Sequence, residues 1–374
     1  MTDIAIKLPR DAFLHVGAPR EWWWHIGTLE AGGRSFGFEI NAAGFVAQGA
    51  SPGVCFSQVM LTDPLNKKHY KRTSNYEYDP AWAESDPSRP WYARIGDLSS
   101  SDFVFMQQVG GIGTLDVQAS FTDDADPLAT VVSFNLQMAQ QGPPLYVWGT
   151  GVAVNVDPTG TTPLARNNYY YSYTNLRVSG TVQIGDEKPL SVAGVTWMDH
   201  EYGAFGAGTQ WVLQDAQLSN GVSFTSSRPG SDFSLKEGER LLTLVTVLEN
   251  GVSTSTIGFA TPTHALPVGK TTFYTHWRVE IPAHAAVLQF EALLPDQVFP
   301  GDPRPIYEGA ATVTGTFDGL SVTGPGWLEQ ALTAPGPAPG SRLGRGASRA
   351  GLKLPENAPE NAPGNAPGNA PGNG

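Results

Sequence analysis

Two short motifs in this sequence place an aromatic side chain beside a carboxylate, at a spacing that suits acid catalysis. Trp197 is followed two residues later by Asp199, and Trp327 is followed in the same way by Glu329. Residues two apart on a β-strand point to the same face, so each carboxylate is expected to lie beside an indole ring. Apolar burial keeps a carboxylic acid protonated near neutral pH, and an aromatic face stabilises a nearby cation. An acid and an aromatic face held together in this way suit proton transfer.

The two motifs belong to an internal repeat of the chain. Three pairs of segments correspond: 190–199 with 320–329, 178–181 with 313–316, and Trp22 through Leu29 with Trp211 through Leu218. Self-similarity on this scale indicates two copies of one folding unit. We therefore predict an N-terminal β domain at residues 1–203 and a C-terminal β domain at residues 204–334, with a glycine-rich joint at residues 203–208.

The elements that must position these residues are predicted to be strands. Trp22–Leu29 and Ser35–Ile40 flank a Gly-Gly turn and read as a hairpin, and similar alternating segments recur along both copies. No segment keeps a helical period over three turns. The prediction is an all-β protein with antiparallel barrels or sandwiches. Residues 335–374, rich in Pro, Gly, Ala and Asn, are predicted to be a disordered tail.

Composition narrows the possible partners. The 374 residues suffice for two cores, and the net charge of −12 argues against binding to nucleic acid or to an anionic membrane surface. Neither a signal peptide nor an apolar run of about 18–20 residues is present, so we expect a soluble, cytoplasmic protein without an integral membrane segment. Oligomeric state is left open.

Several common kinds of site are also not predicted. Cys55 is the single cysteine, and the seven histidines show no metal-ligand spacing, so we predict no metal. Gly110-Gly111-Ile112-Gly113 is not followed by a helical pattern, and no Gly-x-Ser-x-Gly segment occurs. We therefore expect no cofactor.

Linked motifs give the chain a family resemblance. Glu21-Trp22-Trp23-Trp24 followed by Gly27-Thr28-Leu29 resembles the Glu-Trp-Trp-Tyr…Gly-x-Leu opening of the AttH and carotenoid 1,2-hydratase superfamily. The segment 197–203 is similar to its Trp-Met-Asp-His/Arg-Glu-x-Gly motif, and the resemblance extends over residues 17–332. It implies two consecutive lipocalin-like β-barrels. Members include hydratases of carotenoids and of a prenylated isoflavonoid, and cyclases of the Diels–Alder type.

The resemblance also implies site residues. In the hydratase branch an aspartate of this motif protonates an isolated double bond, and that aspartate corresponds to Asp199. His200 and Glu201 have no counterpart in the second copy, which marks them with Asp199 as candidate catalytic residues. The predicted contacts with a hydrophobic small-molecule substrate are Trp22, Trp24, Trp197, Tyr171 and Trp211. The hydratase branch has a tyrosine at the place of Trp197 and an upstream His-x-Trp pair, for which we find no clean counterpart in this sequence.

Simpler interpretations stand beside the catalytic one. Asp199 and Glu329 occupy equivalent places, so each could close a barrel end by capping a turn, or Asp199 could pair with Arg177. The tryptophans could be core residues. If the protein is an enzyme, the predicted reaction is cofactor-independent hydration of a C=C bond in a polyene or isoprenoid. The alternatives are a cyclase of a natural-product pathway, including polyketides, and a carrier of an apolar molecule.

Overall fold

Strands make up almost all the regular structure that the computed structural model describes, over residues 4–47, 52–111, 113–123, 125–205, 210–231, 233–300 and 305–332. Helical structure in these ranges consists of the short helix α1 (Pro163–Arg166) and three single turns. None of it is long and apolar enough to cross a membrane. The predicted tail, 335–374, and residues 206–209 of the predicted joint lie outside the described residues.

The first sheet is built from the N-terminal part of the chain. Its strands are β1 (Arg20–Ala31), β2 (Arg34–Phe45), β3 (Val54–Asp63), β4 (Lys68–Glu77), β5 (Tyr92–Gly96), β6 (Phe103–Gln108), β7 (Thr114–Thr122), β8 (Val131–Gln140), β9 (Leu145–Tyr146), β10 (Val152–Ala153), β11 (Asn168–Ile184) and β12 (Leu190–Gly203). They pair antiparallel in the order β4-β3-β2-β1-β12-β11-β8-β7-β6-β5, and the short strands β9 and β10 add to β11.

The second sheet closes on itself. Its strands are β13 (Gln210–Gln217), β14 (Ser223–Gly230), β15 (Leu241–Glu249), β16 (Val252–Val268), β17 (Thr271–Ile281), β18 (Ala286–Ala292), β19 (Val298–Phe299), β20 (Ile306–Phe317) and β21 (Leu320–Ala331). Neighbours pair in the order β18-β17-β16-β15-β14-β13-β21-β20, and a β18–β20 pairing completes a ring of eight strands. The predicted all-β fold with two barrel-like sheets is confirmed.

Because side chains alternate along β1, the three consecutive tryptophans Trp22, Trp23 and Trp24 lie on two different faces of the sheet. Trp23 points into the first barrel and packs on Trp82 and Trp91, with ring centroids 5.5 Å and 5.0 Å away. These partners come from the irregular stretch between β4 and β5, where prolines interrupt the strand pattern. That stretch therefore fills the barrel interior. Trp22 and Trp24 point outward, to the opposite face of the sheet.

The two sheets pack face to face through a layer of side chains that we call the intersheet layer. Its buried members are Ile26, Met60, Leu145, Val147, Tyr170, Trp197, Leu248, Phe299, Ala310 and Trp327. Hydrogen bonds cross it, from Trp148 N to Thr246 Oγ1 at 2.9 Å and from Gln217 Nε2 to the Thr196 carbonyl at 2.8 Å. The approach is close enough that a Cβ at Gly37 would lie 2.5 Å from Ala310 Cβ.

Candidate active site between the two sheets

Strand β12 carries ionisable side chains on both of its faces. Trp197, Asp199 and Glu201 point to the intersheet layer, whereas Met198 and His200 point into the first barrel. Asp199 lies opposite Trp24 on β1, and Glu201 lies opposite Trp22. The strand period of two therefore separates the predicted catalytic residues, with Asp199 and Glu201 on one side of the sheet and His200 on the other.

Asp199 is buried among neutral hydrogen-bond donors. Its Oδ1 accepts from Ser172 Oγ at 2.5 Å and from Trp197 Nε1 at 2.7 Å. Burial raises the pKa of Asp199 to about 6, and the neighbouring Ser172, Trp197 and Tyr170 side chains limit that rise. Its partners are side chains of β11 and β12 rather than Arg177 or a turn amide. The carboxyl group is thus able to exchange a proton near neutral pH.

Asp199 belongs to a larger group of carboxyl side chains at the intersheet layer, which we call the carboxyl cluster. Its members are Glu39, Asp199, Glu201, Asp215, Glu308 and Glu329. Four of the other members accept a hydrogen bond from a neutral side chain: Glu39 from Asn41, Glu201 from Asn168, Glu308 from Trp327 and Glu329 from Trp211.

The environment of the carboxyl cluster favours protonated acids. Burial, followed by the charge of Asp199, raises the pKa of Glu201 and of Asp215 well above the ordinary range. Burial likewise raises the pKa of Glu39 and Glu308, with Glu329 adding to both shifts. Among the described residues, no cation contributes to these four shifts. These four buried acids, which have no counter-charge among the described residues, are a poor structural device, but they suit proton donation.

A small cavity lies at the inner end of the cluster. Its volume is ≈ 20 Å³, and it is lined by Ile26, Gly27, Trp197, Asp215, Ala216, Gln217, Pro325, Gly326 and Trp327. A cavity of this size holds about one water molecule. It is too small for an isoprenoid chain, and the other apolar surface beside the cluster is the part-exposed outer edge of the layer.

Aromatic rings form that outer edge. Trp22, Trp24 and Trp211 are each only partly buried. Trp22 stands edge-on to Trp24 at 6.3 Å between centroids and lies 4.8 Å from the Phe205 ring. Phe45 packs against Trp22 at 6.2 Å. The edge therefore offers an apolar, electron-rich surface leading towards Asp199 and Glu201.

The opposite face of β12 holds a fully paired ionic network. Glu21 Oε1 lies 2.8 Å from both His15 Nδ1 and His200 Nε2, and Glu21 Oε2 accepts from the His15 backbone N–H at 2.8 Å. Tyr171 Oη lies 3.2 Å from His200 Nδ1. Against the effect of burial, the charge of Glu21 and a hydrogen bond from His15 to Asp11 raise the pKa of His15 to about 9. The pKa of Glu21 is lowered, because His15 outweighs the effect of burial.

The same three side chains have atoms that a metal ion could use. Ligand atoms of His15, Glu21 and His200 lie within 4.8 Å of one another. Each already has a hydrogen-bond partner inside the network, and the raised pKa of His15 favours its protonated form, which cannot bind a metal. An ion pair explains the arrangement more simply. A second group, Glu249, His284 and Asp318, lies partly exposed on the other barrel.

The structure brings most of the predicted site residues together. Trp22, Trp24, Trp197, Asp199, Glu201 and Trp211 border the intersheet layer, whereas Tyr171 and His200 lie inside the first barrel. Tyr170, Ser172 and Asp215 also lie at this site, although no sequence motif indicated them. Alternation along the strands is the signal that could have found them: Tyr170 and Ser172 flank the inward-facing Tyr171 and so point to the layer, and Asp215 lies four residues after Trp211, on the same face of its strand.

Comparison with known proteins supports this description of the fold. One solved structure, of a protein assigned to AttH from Nitrosomonas europaea, has a TM-score of 0.63 and 19% identity, and the match covers 88% of this chain and 98% of that one. Kievitone hydratase from Nectria haematococca has a TM-score of 0.61 and 11% identity, with 89% and 96% covered. CghA, solved with Sch210972, matches at 0.42 with 11% identity over 84% and 88%.

Sequence comparison gives the family directly. No curated protein matches the chain. The sequence model of the AttH-like family, in contrast, matches residues 2–331, which includes both barrels and the whole carboxyl cluster. The resemblance inferred from the motifs is thereby confirmed, and the chain belongs to the AttH-like family.

Proposed function

We propose that this protein is a cofactor-independent enzyme that hydrates a C=C bond of a hydrophobic isoprenoid or polyene at the intersheet layer. The observation that carries the proposal is Asp199, a buried carboxyl group with a pKa of about 6 beside the Trp197 indole. An acid of this strength can take part in proton transfer near neutral pH. Kievitone hydratase shares the fold, which is consistent with this reaction class.

The surroundings of Asp199 match the needs of the intermediate. Protonation of an alkene leaves a carbocation, which must be stabilised by groups that do not react with it. The faces of Trp22, Trp24 and Trp197 can do so through cation–π attraction, worth about 2 kcal/mol or more when water is excluded. Capture of the cation by one water, with release of a proton to a carboxylate, gives the alcohol, and the ≈ 20 Å³ cavity beside Trp197 is the right size for that water.

The substrate is expected to approach along the half-buried aromatic edge. Trp22, Trp24 and Trp211 present ring surface to solvent, and a linear apolar chain could lie across them with one double bond directed at the carboxyl cluster. The enclosed volume is small, so the rings at this edge must move apart when the chain enters. Trp22 and Trp24 are the side chains most able to move, because solvent reaches both.

The test is direct product analysis. Squalene, geranylgeraniol and lycopene are incubated with the purified protein in normal water and in water enriched in heavy oxygen, and products are separated by mass spectrometry. Hydration predicts a mass gain of one water, with the heavy oxygen in the product. The Asp199→Asn variant should give no such product while keeping its circular dichroism spectrum and still quenching tryptophan fluorescence on binding.

Other outcomes would replace the proposal. A product of unchanged mass and altered retention would identify a cyclase, and fluorescence quenching without any product would identify a carrier. Full turnover by Asp199→Asn would remove Asp199 from the chemistry. An Asp157→Asn variant, altered on an exposed loop, is the matched control for changing one aspartate to its amide.

A further inference from the structure

We infer that Asp215 is protonated and delivers its proton to the substrate, whereas Asp199 works as the ionised partner that receives the proton of the attacking water. This inference rests on the proposed function and deepens it. It moves the donor role, which sequence resemblance predicted for Asp199, to a second carboxyl group across the intersheet layer. The geometry of hydrogen-bond donors around the two groups carries the argument.

Asp215 is a buried carboxyl group without hydrogen bonds. It is 2% exposed, and neither of its side-chain oxygens has a hydrogen-bond partner among the described residues. The Thr225 hydroxyl, on the facing residue of β14, meets neither oxygen in hydrogen-bond geometry. An ionised carboxylate in such surroundings would be strongly destabilised, so the neutral acid is the stable form.

Asp199 has the opposite surroundings, although it is equally enclosed. The Ser172 hydroxyl and the Trp197 indole N–H both donate to it. Donated hydrogen bonds stabilise a carboxylate more than a carboxylic acid. Two carboxyl groups whose environments differ in this way divide the acid and base roles between them.

The cavity links the two groups. Asp215, Trp197 and Trp327 line it together, and the same Trp197 ring donates its N–H to Asp199. Among neighbouring charges, that of Asp199 has the largest effect on the pKa of Asp215, which it raises, and the charges of both groups raise the pKa of Tyr170. One water in this cavity would therefore lie beside Asp215 and against the indole ring that bonds Asp199.

The reaction balances with these two groups and one water. The Asp215 carboxyl proton adds to one alkene carbon, so the π pair becomes a C–H bond and a cation remains on the other carbon. Asp215 is then a carboxylate. The water oxygen forms the C–O bond, and its released proton goes to the Asp199 carboxylate. Transfer of that proton from Asp199 to Asp215 restores both groups, and the net change is alkene plus water to alcohol.

The deciding experiment needs no substrate. Protein labelled with carbon-13 at the aspartate side-chain carboxyl carbons is observed by NMR at pH 7, as wild type and as the Asp215→Asn, Asp199→Asn and Asp157→Asn variants. A signal of a protonated carboxyl group should be present in the wild type, absent in Asp215→Asn, and retained in the other two. Loss of that signal in Asp199→Asn with retention in Asp215→Asn would overturn the inference, as would its absence from the wild type.

An activity arm separates this inference from the proposed function. The activity is measured in heavy water with an isoprenoid probe that the wild type hydrates. Asp215→Asn should slow formation of the new carbon–deuterium bond by ~10²-fold or more, and Asp215→Glu should restore part of the rate. Hydration at the wild-type rate by Asp215→Asn would overturn the donor role and leave the proposed function intact. Absence of hydration by the wild type would refute the proposed function with these probes, and the NMR result would still decide where the proton resides.

Discussion

The two faces of β12 bury carboxyl groups in opposite ways. On the barrel side, Glu21 is surrounded by His15, His200 and a backbone N–H, and its pKa is lowered. On the intersheet side, Asp199 is surrounded by neutral donors, and its pKa is raised to about 6. Burial is similar, so the partners make the difference. An ion pair on one face serves stability, whereas the uncompensated acid on the other face is suited to chemistry.

The second barrel repeats the carboxylate without repeating its surroundings. The Trp197 indole N–H donates a hydrogen bond to Asp199, two residues later on the same strand. The Trp327 indole N–H instead donates to Glu308, on the neighbouring strand. Glu329 is instead bonded by Trp211. The recurrence of a Trp-x-carboxylate motif therefore does not produce two equal sites. Both copies contribute acids to one shared layer.

The largest expected effect is on turnover. Asp199→Asn should lower the hydration rate by ~10²–10⁴-fold, because the carboxyl group can no longer exchange a proton. Its unfolding free energy at pH 7 should be unchanged or slightly higher, because the fold no longer holds a buried carboxylate. Chemical denaturation beside product analysis checks both. A large loss of stability would show that Asp199 is a structural residue like Glu21. The two faces of β12 would then not differ in how they use a buried carboxyl group.

The same amide substitution on the barrel face should act on stability. Glu21→Gln removes the counter-charge of a buried, protonated His15, so unfolding free energy should fall by about 3–5 kcal/mol. Urea denaturation at pH 7 measures this, with exposed Glu187→Gln as the control. The fraction of Glu21→Gln protein that remains folded should keep the wild-type kcat for a probe that the wild type hydrates. Unchanged stability would show that the network around Glu21 is not an ion pair.

The barrel face should contribute to the pH dependence of stability through His15. The folded pKa of His15, about 9, lies above its ordinary value of 6.5, so its contribution is complete below pH 6.5 and is lost as pH rises through 9. The expected decrease from His15 is about 2–3 kcal/mol between pH 6.5 and 9. The raised pKa values of Glu201 and Asp215 add a decrease of the same sign, because these acids are protonated in the fold and ionised in the unfolded chain. Denaturation midpoints across this range test it, and His15→Gln should remove the share of the slope that belongs to His15. A wild-type curve that is flat over these pH values would contradict the assignment.

The smallest effect is expected at the second copy. Trp211→Phe keeps an aromatic ring at the outer edge but removes the hydrogen bond to Glu329, so we expect a loss of about 1 kcal/mol in stability. The fluorescence-detected affinity for an isoprenoid probe should stay within a few-fold of wild type. A loss of turnover as large as that of Asp199→Asn would make Glu329 an equal partner in catalysis and revise the asymmetry between the copies.

The sequence predicts the architecture well and the site in part. Duplication and alternation are local signals, and they are enough for two β-barrels and for a shared face of Trp22 with Trp24 and of Trp197 with Asp199. The period of two also separates His200 from Asp199, whereas the direction of Tyr171 depends on the register between β11 and β12. Asp215 and Glu39 could not be placed from local patterns, because their importance arises only where two distant sheets meet.

The central claim is that the intersheet layer keeps its carboxyl groups short of counter-charge. Titration of the carbon-13-labelled Asp199 carboxyl by NMR, assigned by comparison with Asp199→Asn, tests it most directly. The account predicts a midpoint at about pH 6. A midpoint at or below the ordinary value of 3.8 would show that Asp199 is stabilised as an anion like Glu21, and would contradict the account.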